Sequence, residues 1–375
     1  MEKIVLFSAN RGYALLSSRK ELIQRFLDHG WCVVLATADD DEAHELVDLG
    51  AQLEPVQFTR GGFSLIGDYK AYRRLLDVIV RWKPSLVHFF HAKPVIMGTL
   101  AAGSRGRANA PSIVNTITGL GQAFVKGGLV TSFASAGYRK ALSRADITIF
   151  QNPDDMELFV ESAWLSSRKA RLIAGSGVPL NRFSFVERSM RSNEKPVIVM
   201  LGRLLKQKGI PEFVQIAAHI RQRLPGARFV LAGEEEVNHV DGVSMSWLRS
   251  SADIEYVGRL SDVIPLMAQA DLLLFPSYYR EGVPRVVMEA AATGLPTVAF
   301  DVPGVREAVR NDQTGFLVPD RNVEQMTERV FQLLEDKGLR LEMGRKASEL
   351  AKEAFDIRAV QEAYLNVYRE LGVDI

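Results

Sequence analysis

The sequence predicts an α/β protein built from two doubly wound, Rossmann-like domains, and three observations carry that reading. Short apolar runs alternate with amphipathic stretches of helical period along the whole chain, the pattern of parallel sheets covered by helices. That pattern runs twice, and the two runs meet at the polar segment 186–195. At 375 residues the chain also has the length of two ordinary domains. The expected divisions are residues 1–190, residues 191–355, and a C-terminal segment 356–375.

The first run places strands at 4–9, 32–37, 52–58, 85–90, 112–117, 147–152 and 171–175, each a short apolar stretch. Helices fall near 17–29, 68–82, 94–103, 133–144 and 153–163, where apolar residues recur at helical spacing. The second run places strands near 197–202, 228–232, 254–258, 272–276, 296–300 and 315–318. Its helices lie near 210–223, 261–269, 284–293, 303–310, 322–336 and 339–353, and a final helix near 356–371.

Composition narrows the class further. A hydrophobic fraction of 47% and a charged fraction of 24% are those of a soluble globular protein. The one cysteine, Cys32, lies in the apolar run 31–36, so disulfides are excluded and a reducing compartment is expected. The apolar run after Met1 is too short for a signal peptide, and no stretch of 18 apolar residues spans a membrane. Net charge is +1 but uneven: residues 1–190 hold 23 Lys and Arg against 18 Asp and Glu, and residues 191–375 hold 23 against 27. Between Asp77 and Asp146 there are nine cations and no acid, which favours an anionic partner: a membrane surface, a lipid diphosphate or nucleic acid.

Residues 271–304 carry chemistry most densely. An apolar strand ending at Phe275 runs into a Pro-Ser-Tyr loop, then Glu281-Gly282-Val283-Pro284, then a helix that closes at Gly294 before a second strand. The loop is at the carboxyl end of a parallel strand, where open α/β sheets bind ligands. The N–H groups of Gly282 and Val283 suit an anion such as a diphosphate. Glu281 and Glu289 bracket the unit, about 12 Å apart along a helix axis. Upstream, the strand at 197–202 ends in Gly202-Arg203, and Lys208-Gly209 follows just before a helix. Two cations beside a helix N-terminus form a diphosphate clamp that replaces a metal ion. Gly233-Glu234 and Gly258-Arg259 end neighbouring strands and are expected to border a nucleotide base.

Three loops of the first domain follow strands in the same way. Gly12 is the single glycine between the first strand and its helix, so the dinucleotide-binding G-x-G-x-x-G is absent. It reads either as a simple turn or as part of a substrate-facing loop. His91-Ala-Lys93-Pro94 follows the fourth strand, and a satisfied loop histidine with a snorkelling lysine fits it as well as a substrate-binding pair. Thr118-Gly119 follows the fifth strand. Asp39-Asp-Asp41 contains D-x-D but precedes a helix, which makes it surface capping rather than a metal site. The six histidines are scattered and indicate no zinc.

The segment Glu281–Ala290, of the form E-G-x-P-R-x-x-x-E-A, resembles the E-x7-E motif of GT4-type retaining glycosyltransferases, whose GT-B fold has two Rossmann-like domains facing a central cleft. In the resembled fold the final helix, in 356–375, would cross back onto the first domain. The Gly202-Arg203 to Lys208-Gly209 spacing matches the family's G-R-x4-K-G, and the H-x-K-P run is similar to that of members extending lipid-linked oligosaccharides. The resemblance implies transfer of an N-acetylhexosamine or hexose from a nucleotide-sugar, expected to be UDP-linked, to a polyprenyl-diphosphate-linked saccharide. Bacterial surface polysaccharide or glycan assembly is the implied setting. Arg203 and Lys208 would hold the leaving diphosphate, Glu281 the sugar hydroxyls and Glu289 the ribose. Gly282, Val283, Pro284, His91, Lys93, Thr118, Gly119 and Gly12 would line the substrates. A histidine common near position 118 in the family is a threonine here, so no histidine role carries over.

No cofactor, no metal and no nucleic-acid partner is expected. The basic run and the apolar stretch 123–141 suggest a cytoplasmic enzyme, peripheral on the inner face of the cell membrane. A nucleotide-sugar epimerase or phosphorylase on the same fold, and a non-catalytic nucleotide-binding regulator, remain the alternatives.

Overall fold

The computed structural model describes residues 3–59, 64–105, 110–121, 129–188, 195–236 and 239–375. Contacts divide the chain into two compact units, Met1–Ser176 with Arg358–Ile375, and Gly177–Ile357.

In the first unit the elements run β1 (Ile4–Ser8), α1 (Gly12–Asp28), β2 (Cys32–Thr37), α2 (Asp41–Asp48), β3 (Gln52–Pro55), α3 (Leu65–Trp82), β4 (Leu86–Phe90), α4 (Ala92–Ala102), β5 (Ser112–Ile117), α5 (Leu129–Leu142), β6 (Ile147–Phe150), α6 (Pro153–Glu161) and β7 (Ala170–Leu172). The seven strands are parallel in the order β3-β2-β1-β4-β5-β6-β7. Side chains alternate between two apolar layers, so Leu6 and Val34 face one and Phe7 and Leu35 the other.

The second unit runs β8 (Val197–Leu201), α7 (Ile210–Arg223), β9 (Arg228–Ala232), α8 (Met245–Ser250), β10 (Glu255–Tyr256), α9 (Ile264–Gln269), β11 (Leu272–Phe275), α10 (Arg285–Ala292), β12 (Thr297–Phe300), α11 (Val305–Ala308), β13 (Gly315–Val318), α12 (Val323–Glu335) and α13 (Lys337–Ala354). Its six parallel strands follow β10-β9-β8-β11-β12-β13. Each sheet therefore reverses its strand order once, between β1 and β4 and between β8 and β11. Such switch points open a crevice at the carboxyl edge.

The last helix, α14 (Ile357–Glu370), returns the chain to the first unit. Val360, Tyr364, Leu365 and Tyr368 complete one apolar layer of that unit. The Tyr368 hydroxyl lies 2.6 Å from Nδ1 of the fully buried His88, whose Nε2 lies 2.8 Å from Thr116 Oγ1. Burial, reinforced by Arg19, holds the imidazole well below its usual pKa, so it is neutral.

Two local features differ from the sequence reading. Helix α1 begins at Gly12, five residues before the expected start, because the acceptor its first turn needs comes from another loop. Arg11 at the N-cap offers none, and Asp40 Oδ2 accepts from the Gly12 N–H at 3.0 Å instead. Asp40 also caps α2 through Ala43 N–H, which gives the aspartate cluster its capping role. The units divide at Ser176, ahead of the polar stretch near residue 190. Residues 178–188 pack with the second unit: Val178 pairs with Asp356, and the buried Arg188 donates to the carbonyls of Val186, Met267, Ala270, Thr293 and Gly294. Cys32 is half-buried at the start of β2.

Candidate functional site

The loops after β8 and β11 flank the switch point of the second sheet. Gly202 continues β8 by donating to Ala232 O, and the chain then turns through Leu204–Lys208 into α7. Gly209 makes that turn with φ +85, and a Cβ there would overlap the Pro276 carbonyl. After β11, Tyr278 N–H donates to Gln207 O at 3.1 Å, tying the two loops together. This stitching brings Lys208 to Glu281, Nζ to Oε1 at 2.5 Å, with the ammonium 5.0 Å from the Tyr279 ring centroid. Burial pushes the Lys208 ammonium below its usual pKa while Glu281 works against that shift.

Arg203 points its Nη1 at Glu236 Oε1, 3.0 Å away, and stays 45% exposed beside the buried carboxylate. The structure thus gathers Arg203, Lys208 and Glu281 at one edge, two cations each already carrying one carboxylate contact. Glu289 is apart from them. It is buried on α10, where Arg285 Nε donates to it at 2.6 Å, and burial raises its carboxyl above the ordinary value against the pull of Arg285. Gly282, Val283 and Pro284 are buried, and Pro284 is the N-cap of α10 rather than its first helical residue.

Two supports of this site carried no signal in the sequence. Glu236 lies in a loop without a motif. Gly304, at φ +88, lets the next loop pass against Glu281-Gly282: a Cβ there would overlap Gly282 O and lie 2.7 Å from Glu281 O. Its Pro-Gly pair marks a turn but not what the turn touches.

In the first unit Gly12, His91 and Thr118-Gly119 follow β1, β4 and β5, adjacent strands at the other switch point. Asn10 N–H donates to His91 Nδ1 at 3.5 Å. His91 has φ +68 and ψ 159, a conformation reserved almost wholly for glycine and costing about 1–3 kcal/mol. Strain of this kind clusters at active sites and ligand clamps, which keeps His91 among the candidates. Gly12 serves packing, since a Cβ there would overlap Asp40 and crowd Ala43. Lys93 turns to the first turn of α3, donating to Thr59 Oγ1 and to buried Asp68 Oδ1, the latter at 2.8 Å. Thr118 and Gly119 are half-buried, and Gly119 has φ +99. No group of three or more His, Cys, Asp or Glu suited to a metal ion occurs among the described residues.

Residues 182–350 match the family described as glycosyl transferases group 1, and residues 18–174 match the glycosyl transferase 4-like domain. The chain is 27% identical over 376 aligned positions to N,N'-diacetylbacillosaminyl-diphospho-undecaprenol alpha-1,3-N-acetylgalactosaminyltransferase of Campylobacter jejuni, covering 96% of this chain and 97% of that one. It is 25% identical to UDP-Gal:alpha-D-GlcNAc-diphosphoundecaprenol alpha-1,3-galactosyltransferase of Escherichia coli, covering 74% and 73%. Sucrose-phosphate synthase from Thermosynechococcus elongatus superposes with a TM-score of 0.80 at 18% identity, covering 99% of both chains. The chain is a glycosyltransferase related to the GT4-type enzymes, with the GT-B architecture of two Rossmann-like units.

Proposed function

We propose that this enzyme transfers a sugar, with retention, from a UDP-sugar to a lipid-diphosphate-linked saccharide. The observation that carries the proposal is the convergence of Arg203, Lys208 and Glu281 at the β8–β11 switch point. Loss of the nucleoside diphosphate leaves negative charge on its phosphate oxygens. Fixed cations in a partly buried site stabilise that charge far better than water does. Glu281, tethered to Lys208, is the acceptor for sugar hydroxyls beside the reacting carbon, and Glu289 on α10 is the ribose contact. The Campylobacter and Escherichia relatives, both named for undecaprenyl-diphosphate acceptors, support the acceptor class.

The test is an assay of UDP-hexoses and UDP-N-acetylhexosamines with a synthetic polyprenyl-diphosphate sugar. Formation of an elongated lipid-linked product with the α-anomeric configuration is expected. Release of free sugar with every donor and no acceptor product would overturn the proposal.

Attachment to an anionic bilayer belongs to the same reading. No helix among the described residues is long and apolar enough to cross a membrane. The sequence pointed to the cations and apolar residues of 123–144, yet residues 122–128 lie outside the described structure. Arg139, Lys140 and Arg144 lie where α5 leads into β6, the amino edge of the sheet, opposite the candidate loops. The start of α3 supports attachment better. It follows β3 at the carboxyl edge and exposes Leu65 (81%), Ile66 (73%) and Tyr69 (61%) beside exposed Lys70 and Arg73. The acid of that turn, Asp68, is buried and neutralised by Lys93. Each cation contributes about 1 kcal/mol at an anionic surface, and each inserted aliphatic side chain up to about 1.5–3 kcal/mol. Co-sedimentation with phosphatidylglycerol vesicles is expected to fall at least tenfold in a Leu65→Ser/Ile66→Ser variant and to persist in an Arg139/Lys140/Arg144 triple-alanine variant. The reverse outcome would move the contact to the amino edge.

A further inference from the structure

Beyond the clamp itself, the loop after β9 holds one of its cations in place. Residues 234 and 241–243 bond to 204–206: Leu204 N–H donates to Glu234 O at 2.9 Å, Lys206 N–H to Asp241 O at 2.8 Å, and Val243 N–H to Leu204 O at 3.0 Å. An antiparallel bridge joins Leu205 to Gly242. Gly233 permits this approach, because a Cβ there would overlap the Gly202 carbonyl. The backbone on both sides of the Arg203–Glu236 contact is therefore fixed by main-chain hydrogen bonds before either side chain is considered.

The two side chains then differ sharply in exposure, Glu236 at 7% and Arg203 at 45%. A guanidinium has five N–H donors in a planar fork, and Glu236 Oε1 takes a hydrogen bond from Nη1. We propose that Glu236 is a positioning residue for the transfer: it grips Arg203 from the buried side so that the exposed donors of the fork are held toward the leaving diphosphate. The inference rests on the proposed donor site. Without this grip the long Arg203 side chain samples many rotamers, and each productive contact with the diphosphate must first overcome that freedom. The alternative is a counter-ion role, in which Glu236 occupies Arg203 until the donor displaces it. The two roles predict opposite changes in nucleotide affinity.

The experiment uses the full chain with Glu236→Ala, Glu236→Gln and Arg203→Ala, alone and combined, and reads kcat and KM for the donor together with UDP binding by calorimetry. Glu236→Ala is expected to lower kcat/KM about 10–100-fold and to weaken UDP binding. Glu236→Gln, which keeps the acceptor oxygen, is expected to recover most of the loss. In the Arg203→Ala background the further loss from Glu236→Ala is expected to stay under about twofold, because the residue acts through the arginine. Equal losses in both backgrounds would reduce Glu236 to a structural role. Tighter UDP binding in Glu236→Ala would instead assign it the counter-ion role. Either result overturns the inference and leaves the donor site standing. Absence of UDP binding and turnover in the unaltered chain would fell the donor-site reading and this inference together.

Discussion

Replacing Lys208 with alanine is expected to lower kcat about a thousandfold while the chain remains folded. A preorganised donor aimed at charge that develops in the transition state is worth about 10²–10³ in rate when removed. Lys208 adds a second effect, since its loss also frees Glu281 from the 2.5 Å contact that fixes it in the proposed donor site. The ion pair is largely buried, its side chains only 11% and 21% exposed, so the variant also loses stability, up to about 3–5 kcal/mol, and its rate is read where it is fully folded. Arg203→Ala is expected to cost about a hundredfold, since that side chain is half in solvent. The measurements are single-turnover rates at saturating donor, urea unfolding midpoints, and activity in EDTA, which is expected to persist because cations do the work of a metal. A kcat within threefold of the unaltered enzyme would sink the clamp. So would complete loss in EDTA reversed by magnesium.

Gly304→Ala is expected to be nearly as damaging through geometry alone. The position combines φ +88 with a carbonyl, that of Gly282, where a Cβ would have to sit. The left-handed conformation costs about 1–2 kcal/mol for a residue with a Cβ, and overpacking against backbone adds about 1–3 kcal/mol. The Glu281-Gly282 segment is the part that must yield, and a displacement of about 1 Å at a reacting group costs about a hundredfold in rate. Urea unfolding should show the stability loss. The decisive reading is the rate measured where the variant is still fully folded, and an unchanged kcat there would mean the loop relaxes without moving Glu281.

The residues of the proposed clamp were legible in the sequence because they are local. Gly202, Arg203, Lys208 and Gly209 sit on one strand–turn–helix, and Glu281 opens another, so turn and capping chemistry place them without tertiary knowledge. The supports were not legible because each acts across the fold: Glu236 on Arg203, Gly304 on Gly282, Asp68 on Lys93. The basic run between Asp77 and Asp146 shows the same limit. Arg81 pairs with Glu54, Lys93 with Asp68, and Arg144 donates to the Leu100 carbonyl, so a stretch without acids in sequence is not a surface without them in space. Helix α1 began early for a related reason, since its acceptor, Asp40, belongs to a loop that strand pairing brings beside it. Strand order was read only as parallel, and the two switch points came from the structure.

The return of α14 to the first unit sets the order in which a nascent chain can mature. Residues 177–357 form one unbroken unit that is whole once its own last residue emerges from the ribosome. The first unit is synthesised earlier yet finished later. Until Val360, Tyr364 and Tyr368 arrive, the layer containing Phe7, Phe26 and Phe90 lacks its cover, and His88 lacks the Tyr368 hydroxyl. For roughly 180 residues of translation, about 10–40 seconds at about 5–20 residues per second, that apolar layer waits unfinished. Arrival of residues 358–375 thus closes the first unit only after the second is whole.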